Sequence, residues 1–268
     1  MFDYRGLQDV LFMALYIGAA TAALLAAVYL LLRPINAFMH EDAPDSPEAP
    51  DGRKATDGPM NDHQSTKPRR FGLPMRSSRR LRRWTAALLV AMALSHVWWY
   101  GVGQWCLEDD WLVRTILVIM LDHVTLIPLL MAVLLSMLQD RRRPLWPWCL
   151  AQLPVVVMAV VGMVRRSWQW GFEMSYLCQL AVIALFITYY IYALWQYGRW
   201  LRQNFADLDH KEVWQSLAFV MALLAVYVLY TSNAGEIARE YLSQVITLVI
   251  IAFLLWRTET LQELEDSG

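Results

Sequence analysis

Three ionisable side chains, His96, Asp122 and His123, lie inside long apolar stretches of this sequence. A titratable group in the middle of a bilayer is costly, so such residues are candidates for binding or sensing. His96 and Asp122 lie at similar depth in neighbouring segments, and we predict a hydrogen bond between them. Together with His123 they either form a ligand-, proton- or metal-responsive pocket or simply hold two helices together.

Two histidines on neighbouring membrane helices can also ligate haem, so His96 and His123 define a redox alternative. No metal cluster spacing accompanies them, and we expect neither a bound metal nor another cofactor. The sequence has three scattered cysteines, and whether Cys106 pairs with Cys178 stays open. It contains no nucleotide-binding, protease or hydrolase motif, which favours a protein that is not an enzyme.

A cluster of arginines stands immediately before the second apolar stretch: Arg79, Arg80, Arg82 and Arg83. Basic residues in such a position attract anionic lipid headgroups and also mark the cytoplasmic side of a membrane protein. We interpret the cluster as a topology determinant in contact with headgroups. Direct binding of nucleic acid by this chain is not expected.

These residues sit in a chain whose composition is typical of a membrane protein. Of its 268 residues 57% are hydrophobic and 18% are charged, and its mean hydropathy is +0.33. A helix needs roughly 20 apolar residues to cross a bilayer. Seven stretches approach or exceed that length, at 10–32, 84–107, 111–138, 144–164, 174–198, 213–235 and 241–256. The predicted fold is therefore all-α, a polytopic membrane helix bundle with about seven transmembrane helices.

The distribution of basic residues predicts the orientation of these helices. With the N-terminus outside, eighteen of the 23 lysines and arginines fall in inside segments and four in outside segments. Cytoplasmic loops carry such an excess of positive charge. The sequence therefore predicts an N-out, C-in, multi-pass protein.

Four regions follow from this pattern. Residues 1–36 form the first transmembrane helix. Residues 37–83 are rich in Pro, Asp, Ser and Gly, which predicts a disordered cytoplasmic loop with a basic juxtamembrane end. Residues 84–256 form a six-helix transmembrane bundle, and residues 257–268 form a short cytoplasmic tail. Residues Ile250, Leu254, Arg257, Leu261 and Leu264 follow a heptad-like spacing, which fits either a coiled-coil connector or a short helix that caps the bundle.

Two segments near the C-terminus carry a family resemblance. They read GRWLRQNFADLDHKEVWQS at 198–216 and YTSNAGEIAREYLSQVITLVIIAFLLWRTETLQEL at 230–264. Together they resemble the multi-pass N-terminal region of membrane-bound regulators of Bacteroidales bacteria. The resemblance implies a cytoplasmic output domain, either an AraC-type helix-turn-helix or a histidine kinase. This sequence ends at Gly268, which leads us to expect an input domain without its own output domain.

The expected function is a sensory, signal-input domain in the bacterial cytoplasmic membrane. Its expected partners are the lipid bilayer, anionic lipids at the arginine cluster, and either a second copy of the chain or a separate cytoplasmic output protein. A small transporter or channel, which would use the polar residues at mid-depth, is the main alternative. The haem-binding redox protein is the second alternative. The stimulus is not specified by any motif.

Overall fold

The computed structural model describes residues 4–33, 78–101, 111–204, 214–231 and 236–261. In these ranges every helix is an α-helix and there is no strand. The eight helices are α1 Tyr4–Leu32, α2 Arg79–Gly101, α3 Trp111–Met137, α4 Trp146–Leu150, α5 Leu153–Val164, α6 Trp168–Asn204, α7 Trp214–Thr231 and α8 Glu236–Thr260. The predicted all-α class is confirmed.

Helices occupy all seven segments that were predicted to cross the membrane. In the part of the chain that the structure describes, five segments are long and apolar enough to do so, namely Val10–Leu32, Met120–Met137, Trp146–Val164, Gln169–Asn204 and Tyr241–Thr260. The other two predicted segments correspond to α2 and α7. A protein with five such helices fits the membrane class, whereas seven crossings and the N-out orientation stay predictions.

Two helices extend beyond the predicted region boundaries. Helix α2 begins at Arg79 rather than at residue 84, so the end of the basic stretch is helical and not part of a loop. Helix α8 continues to Thr260, and residues 257–259 and 261 are buried in the bundle rather than forming a solvated tail. The remainder of the predicted loop, 34–77, the end of the tail, 262–268, and Cys106 lie outside the described residues.

The core of the bundle surrounds the second half of α3. Residues 131–138 are all buried, which means that neighbours cover every side of this part of the helix. Helix α3 packs against α2, α4, α5 and α6, and the Ser216 hydroxyl of α7 lies 3.1 Å from the Met137 sulfur. Helix α1 packs along α2 and α8 through a face of small residues: Ala19, Ala23, Ala26 and Ala27. Small side chains let helices approach closely where no hydrophobic effect drives their association.

The surface of the bundle carries many large apolar side chains. Leu25, Val97, Val164 and Leu185 each expose more than 60% of their surface. A water-soluble protein rarely exposes a continuous apolar surface of this extent. This surface supports the membrane class independently of helix length.

The predicted fourth crossing is divided into α4 and α5, with Ala151 and Gln152 between them. Pro154 lies in the first turn of α5, where a proline is tolerated because the first amides of a helix have no partner within it. Residues 144–164 were predicted as one crossing. The structure instead begins a second helix within them, with Pro154 in its first turn.

The turn between α5 and α6 has a residue in the left-handed conformation. Arg166 has a φ of 53°. The Ser167 amide donates to the Gly162 carbonyl at 3.0 Å and the Arg166 amide donates to the Met163 carbonyl at 3.1 Å. These two bonds form a Schellman motif, in which the left-handed position is usually glycine.

We expect Arg166→Gly to stabilise the protein by about 1 kcal/mol, because glycine adopts a positive φ without the steric cost that a Cβ atom adds. The unfolding free energy of the variant in detergent micelles tests this. Arg165→Gly is the matched control, because Arg165 has a φ of −77°, and this change should destabilise. Equal effects of the two changes would contradict the assignment of the motif.

Candidate functional site

A pocket of about 190 Å³ lies between α2, α3 and α8. Its walls are mainly apolar, and three polar side chains, Ser95, His96 and Thr247, also line it. The apolar lining residues are Leu88, Met92, Leu126, Ile127, Leu130 and Ile250. Concave, mostly apolar sites with a few placed polar groups are typical of small-molecule binding sites, although this one is smaller than most.

His96 connects three helices at the edge of the pocket. Its Nδ1 lies 2.7 Å from the Met92 carbonyl oxygen in the same helix, and its Nε2 lies 3.1 Å from Oε1 of Gln244 in α8. The Tyr16 hydroxyl of α1 donates to the His96 carbonyl oxygen, and the two rings are 4.7 Å apart. A displacement of α8 would therefore break the contact between Gln244 and the His96 ring.

Asp122 does not pair with His96, and the predicted hydrogen bond between them is wrong. Its Oδ1 accepts from the Ser95 hydroxyl at 2.7 Å and from the Trp98 indole N–H at 3.0 Å. Both donors belong to α2, so Asp122 does join α3 to α2. Successive residues of an α-helix differ by about 100° in direction, so that Ser95 faces α3 while His96 faces α1 and α8.

His123 is not grouped with His96 and Asp122. It is half-buried in α3, does not line the pocket, and its Nδ1 is buried without a hydrogen-bond partner. Within the described ranges no three His, Cys, Asp or Glu residues lie close enough together to hold a metal ion. Both ring nitrogens of His96 lie within hydrogen-bond distance of protein groups, and the haem-binding alternative stays a prediction.

The arginine cluster divides into exposed and buried members. Arg79 and Arg83 are exposed and can reach headgroups, and the Arg80 guanidinium lies 3.5 Å from the Arg143 carbonyl oxygen. Arg82 is only 4% exposed. Its guanidinium donates to Glu259 Oε1 of α8 at 2.6 Å and to a backbone carbonyl at the end of α1. Arg82 is therefore held inside the bundle, and contact of the arginine cluster with lipid headgroups stays a prediction.

We call the pair of Arg82 and Glu259 the latch. It joins the first turn of α2 to the last turn of α8, and both side chains are at most 5% exposed. One turn further along α2, the Thr258 hydroxyl of α8 lies 3.3 Å from the Thr85 hydroxyl. A protein is strongly destabilised when one partner of a buried ion pair is lost. The latch therefore holds α2 and α8 in one register.

Further charged and phenolic side chains are buried at the same end of the bundle. Arg143 forms a two-fold contact with the Asp140 carboxylate, at 2.6 and 3.0 Å. Arg257 is 3% exposed and lies close enough to Tyr190 and Tyr197 of α6 to interact with them electrostatically. Arg143 and Arg257 are therefore buried at the same end of the bundle as the arginine cluster.

The sequence did not indicate Ser95, Gln244 or Glu259 as site residues. A single serine or glutamine within an apolar helix does not stand out as a site residue without its partner. Glu259 looked like part of a charged tail. Leu254, Arg257 and Leu261 are all buried, but at about 100° per residue their face lies nearly opposite Glu259, so their spacing did not indicate the latch.

No protein family, no curated protein and no solved structure matches this chain. The resemblance to membrane-bound regulators of Bacteroidales bacteria therefore stays a prediction. The geometry of the pocket and the latch carries the functional argument.

Proposed function

We propose that this protein is a membrane signal-input domain that senses a small molecule in the pocket and transmits its presence through α8. One observation carries the proposal: α2 and α8 contribute to both the pocket and the latch. Helix α8 supplies Thr247 and Ile250 to the pocket and Glu259 to the latch. A signal in one site therefore has a direct physical route to the other.

The route is a single helix. Thr247 and Glu259 are twelve residues apart in α8, about 18 Å along the helix axis. A helix moves as a rigid element, so a ligand that displaces α8 at the pocket also displaces its last turn. The ion pair of the latch is either formed or broken. A small displacement of α8 therefore selects between a closed and an open arrangement.

The proposal includes seven crossings with the N-terminus outside and the C-terminus in the cytoplasm. In support, arginines in the segments that follow α1 and α3, in the last turn of α8 and at the start of α2 lie at one end of the bundle. Arg82 donates to the Arg33 carbonyl and Arg80 lies near the Arg143 carbonyl. A positively charged end of this kind fits the cytoplasmic side, where a second copy or a separate output protein would read the position of α8.

The test compares two phenylalanine substitutions on α3. Leu126→Phe fills part of the pocket, whereas Val124→Phe adds the same ring at a site that is 45% exposed and does not line it. Spin labels at Arg202 and Trp256 report the distance between α6 and α8 after the native cysteines are replaced by serine. A second pair at Arg202 and Arg33 reports α1 as a reference.

We expect Leu126→Phe to shift the distance between α6 and α8 by about 2 Å, as helix shifts in switching proteins do. The distance between α6 and α1 should stay constant, and Val124→Phe should change neither. If Leu126→Phe folds but leaves both distances unchanged, the pocket is not coupled to α8 and the signal-input function is wrong.

A specific observation favours the transporter or channel alternative. Gln152, at the break between α4 and α5, and Gln179 of α6 are both buried, and the amide nitrogen and oxygen of each lack a hydrogen-bond partner. Broken helices with polar groups at membrane depth line the substrate pathways of transporters. Proton or ion flux into liposomes that is lost in Gln179→Leu would favour this function over sensing.

A further inference from the structure

The hydrogen-bonding capacity left in the pocket defines the chemistry of its ligand. Each polar side chain in its lining already uses its donor within the protein. The Ser95 hydroxyl donates to Asp122, and the Thr247 hydroxyl donates to the Ser243 carbonyl at 2.9 Å. The His96 Nδ1 is held by the Met92 carbonyl and its Nε2 by the Gln244 amide. What stays available are the lone pairs of two hydroxyl oxygens, which are acceptors.

The size of the pocket limits the ligand to a small molecule. A cavity of about 150 Å³ with an apolar lining binds benzene in another protein. The pocket here is slightly larger, at about 190 Å³, and carries two acceptors as well. A benzene ring with one short polar substituent matches both features.

Charge restricts the ligand further. Asp122 lies directly behind Ser95, so a carboxylate or phosphate in the pocket would be placed near another negative charge. An ammonium group would lose most of its hydration shell against the six apolar lining residues, and the Asp122 oxygen that could offset its charge already accepts from Ser95 and Trp98. A neutral molecule avoids both costs.

We infer that the pocket binds a small, neutral, mostly apolar molecule with one hydroxyl group, which donates its hydrogen bond to Ser95 or Thr247. This inference rests on the proposed function, because it names the ligand class of the same site. A ligand of this class partitions into the bilayer and reaches the pocket from the membrane. A hydroxylated metabolite and an added alcohol share the same chemistry and would occupy the same position.

The test uses four probes with the same ring: benzyl alcohol, benzaldehyde, toluene and benzylamine. Saturable binding to the full chain in detergent micelles is measured by ligand-observed NMR, with free concentrations corrected for partitioning into empty micelles. We expect benzyl alcohol to bind about fivefold more tightly than toluene, the ratio that one net hydrogen bond gives. Benzaldehyde can only accept hydrogen bonds and should bind more weakly than toluene, because its carbonyl would lose hydration without gaining a partner. Benzylamine, which is cationic at neutral pH, should bind most weakly.

Two variants locate the hydrogen bond. Thr247→Val and Ser95→Ala each remove one acceptor, and one of them should abolish the preference for benzyl alcohol over toluene while toluene still binds. Thr188→Val is the matched control for Thr247→Val. Its hydroxyl makes the same contact with a carbonyl four residues earlier, at 2.9 Å, but it is exposed on α6. Retained toluene binding shows that the variants are folded.

Three results would overturn the inference: equal affinity for all four probes, tighter binding of benzaldehyde or benzylamine, or a preference unchanged in both acceptor variants. Saturable binding of benzyl alcohol without any movement of α8 would leave the ligand class intact and contradict the signal-input function. Movement of α8 in Leu126→Phe without selective probe binding would support the signal-input function and contradict the ligand class. The two proposals therefore fail separately.

Discussion

Replacing Glu259 alone by leucine is expected to destabilise the protein by about 3 to 5 kcal/mol, because the change leaves the Arg82 guanidinium buried without its carboxylate. Arg82→Met should have an effect of similar size, since it leaves the Glu259 carboxylate, which is 1% exposed, without the guanidinium at 2.6 Å. The unfolding free energy in micelles, measured by steric trapping, is the appropriate quantity. It compares the folded and unfolded states without requiring removal of the detergent.

The double variant Arg82→Met with Glu259→Leu distinguishes a buried ion pair from two separately required residues. Replacement of a buried pair by apolar residues of similar volume is often neutral or stabilising. We expect the double variant to be at least as stable as the less affected single variant, with strong coupling between the two sites. Arg83→Met is the control, because Arg83 is adjacent but exposed, and it should change stability by less than about 0.5 kcal/mol. Additive effects at residues 82 and 259 would show that the latch is not a pair.

The latch experiment also bears on function. A double variant that folds lacks the discrete contact between the first turn of α2 and the last turn of α8. In that variant the distance between labels at Arg202 and Trp256 should become broad even with an empty pocket. A narrow, unchanged distribution would mean that packing around Leu254 and Leu261, both nearly fully buried, fixes α8 without the ion pair.

The positions of the helices could be predicted because hydropathy is a property of the chain alone. An apolar stretch of sufficient length has few alternatives to a helix, and helices occupy all seven predicted segments. The ends of the helices were less well predicted where they carry charged residues that the fold buries. Residues 79–83 and 257–261 look solvated in the sequence, yet Arg82, Arg257 and Glu259 are buried, because each finds polar or charged partners in distant segments.

The partners in the site could not be predicted for a different reason. Segment length gives the depth of a residue in a bundle, and depth correctly placed Asp122 beside α2. It does not give the direction of a side chain around the helix axis, which packing decides. His96 and Ser95 differ by one residue and face different helices, so a correct depth produced the wrong partner. The residues of the latch are separated by 177 positions, and no local pattern connects them.

The contact between α5 and α6 leads to a second large effect that the sequence did not indicate. A Cβ atom added to Gly171 would lie 2.7 Å from the Gly162 Cα, and one added to Gly162 would lie 2.4 Å from the Gly171 Cα. Real Cβ atoms essentially never approach other carbons this closely, and the obstacle is backbone rather than a flexible side chain. Glycines at a crossing of membrane helices allow this close approach.

Gly171→Ala is therefore expected to force α5 and α6 apart and to destabilise the protein by about 2 to 3 kcal/mol, the upper part of the range for overpacking. Gly198→Ala is the matched control in the same helix, because no atom lies within 4 Å of its added Cβ. That change should be neutral or stabilise by up to about 1 kcal/mol through helix propensity. The two identical substitutions thus have opposite predicted signs, and unfolding free energies in micelles measure both. If Gly171→Ala is as stable as Gly198→Ala, the helices do not touch at Gly162 and Gly171, and the packing of α5 on α6 must differ from the one described.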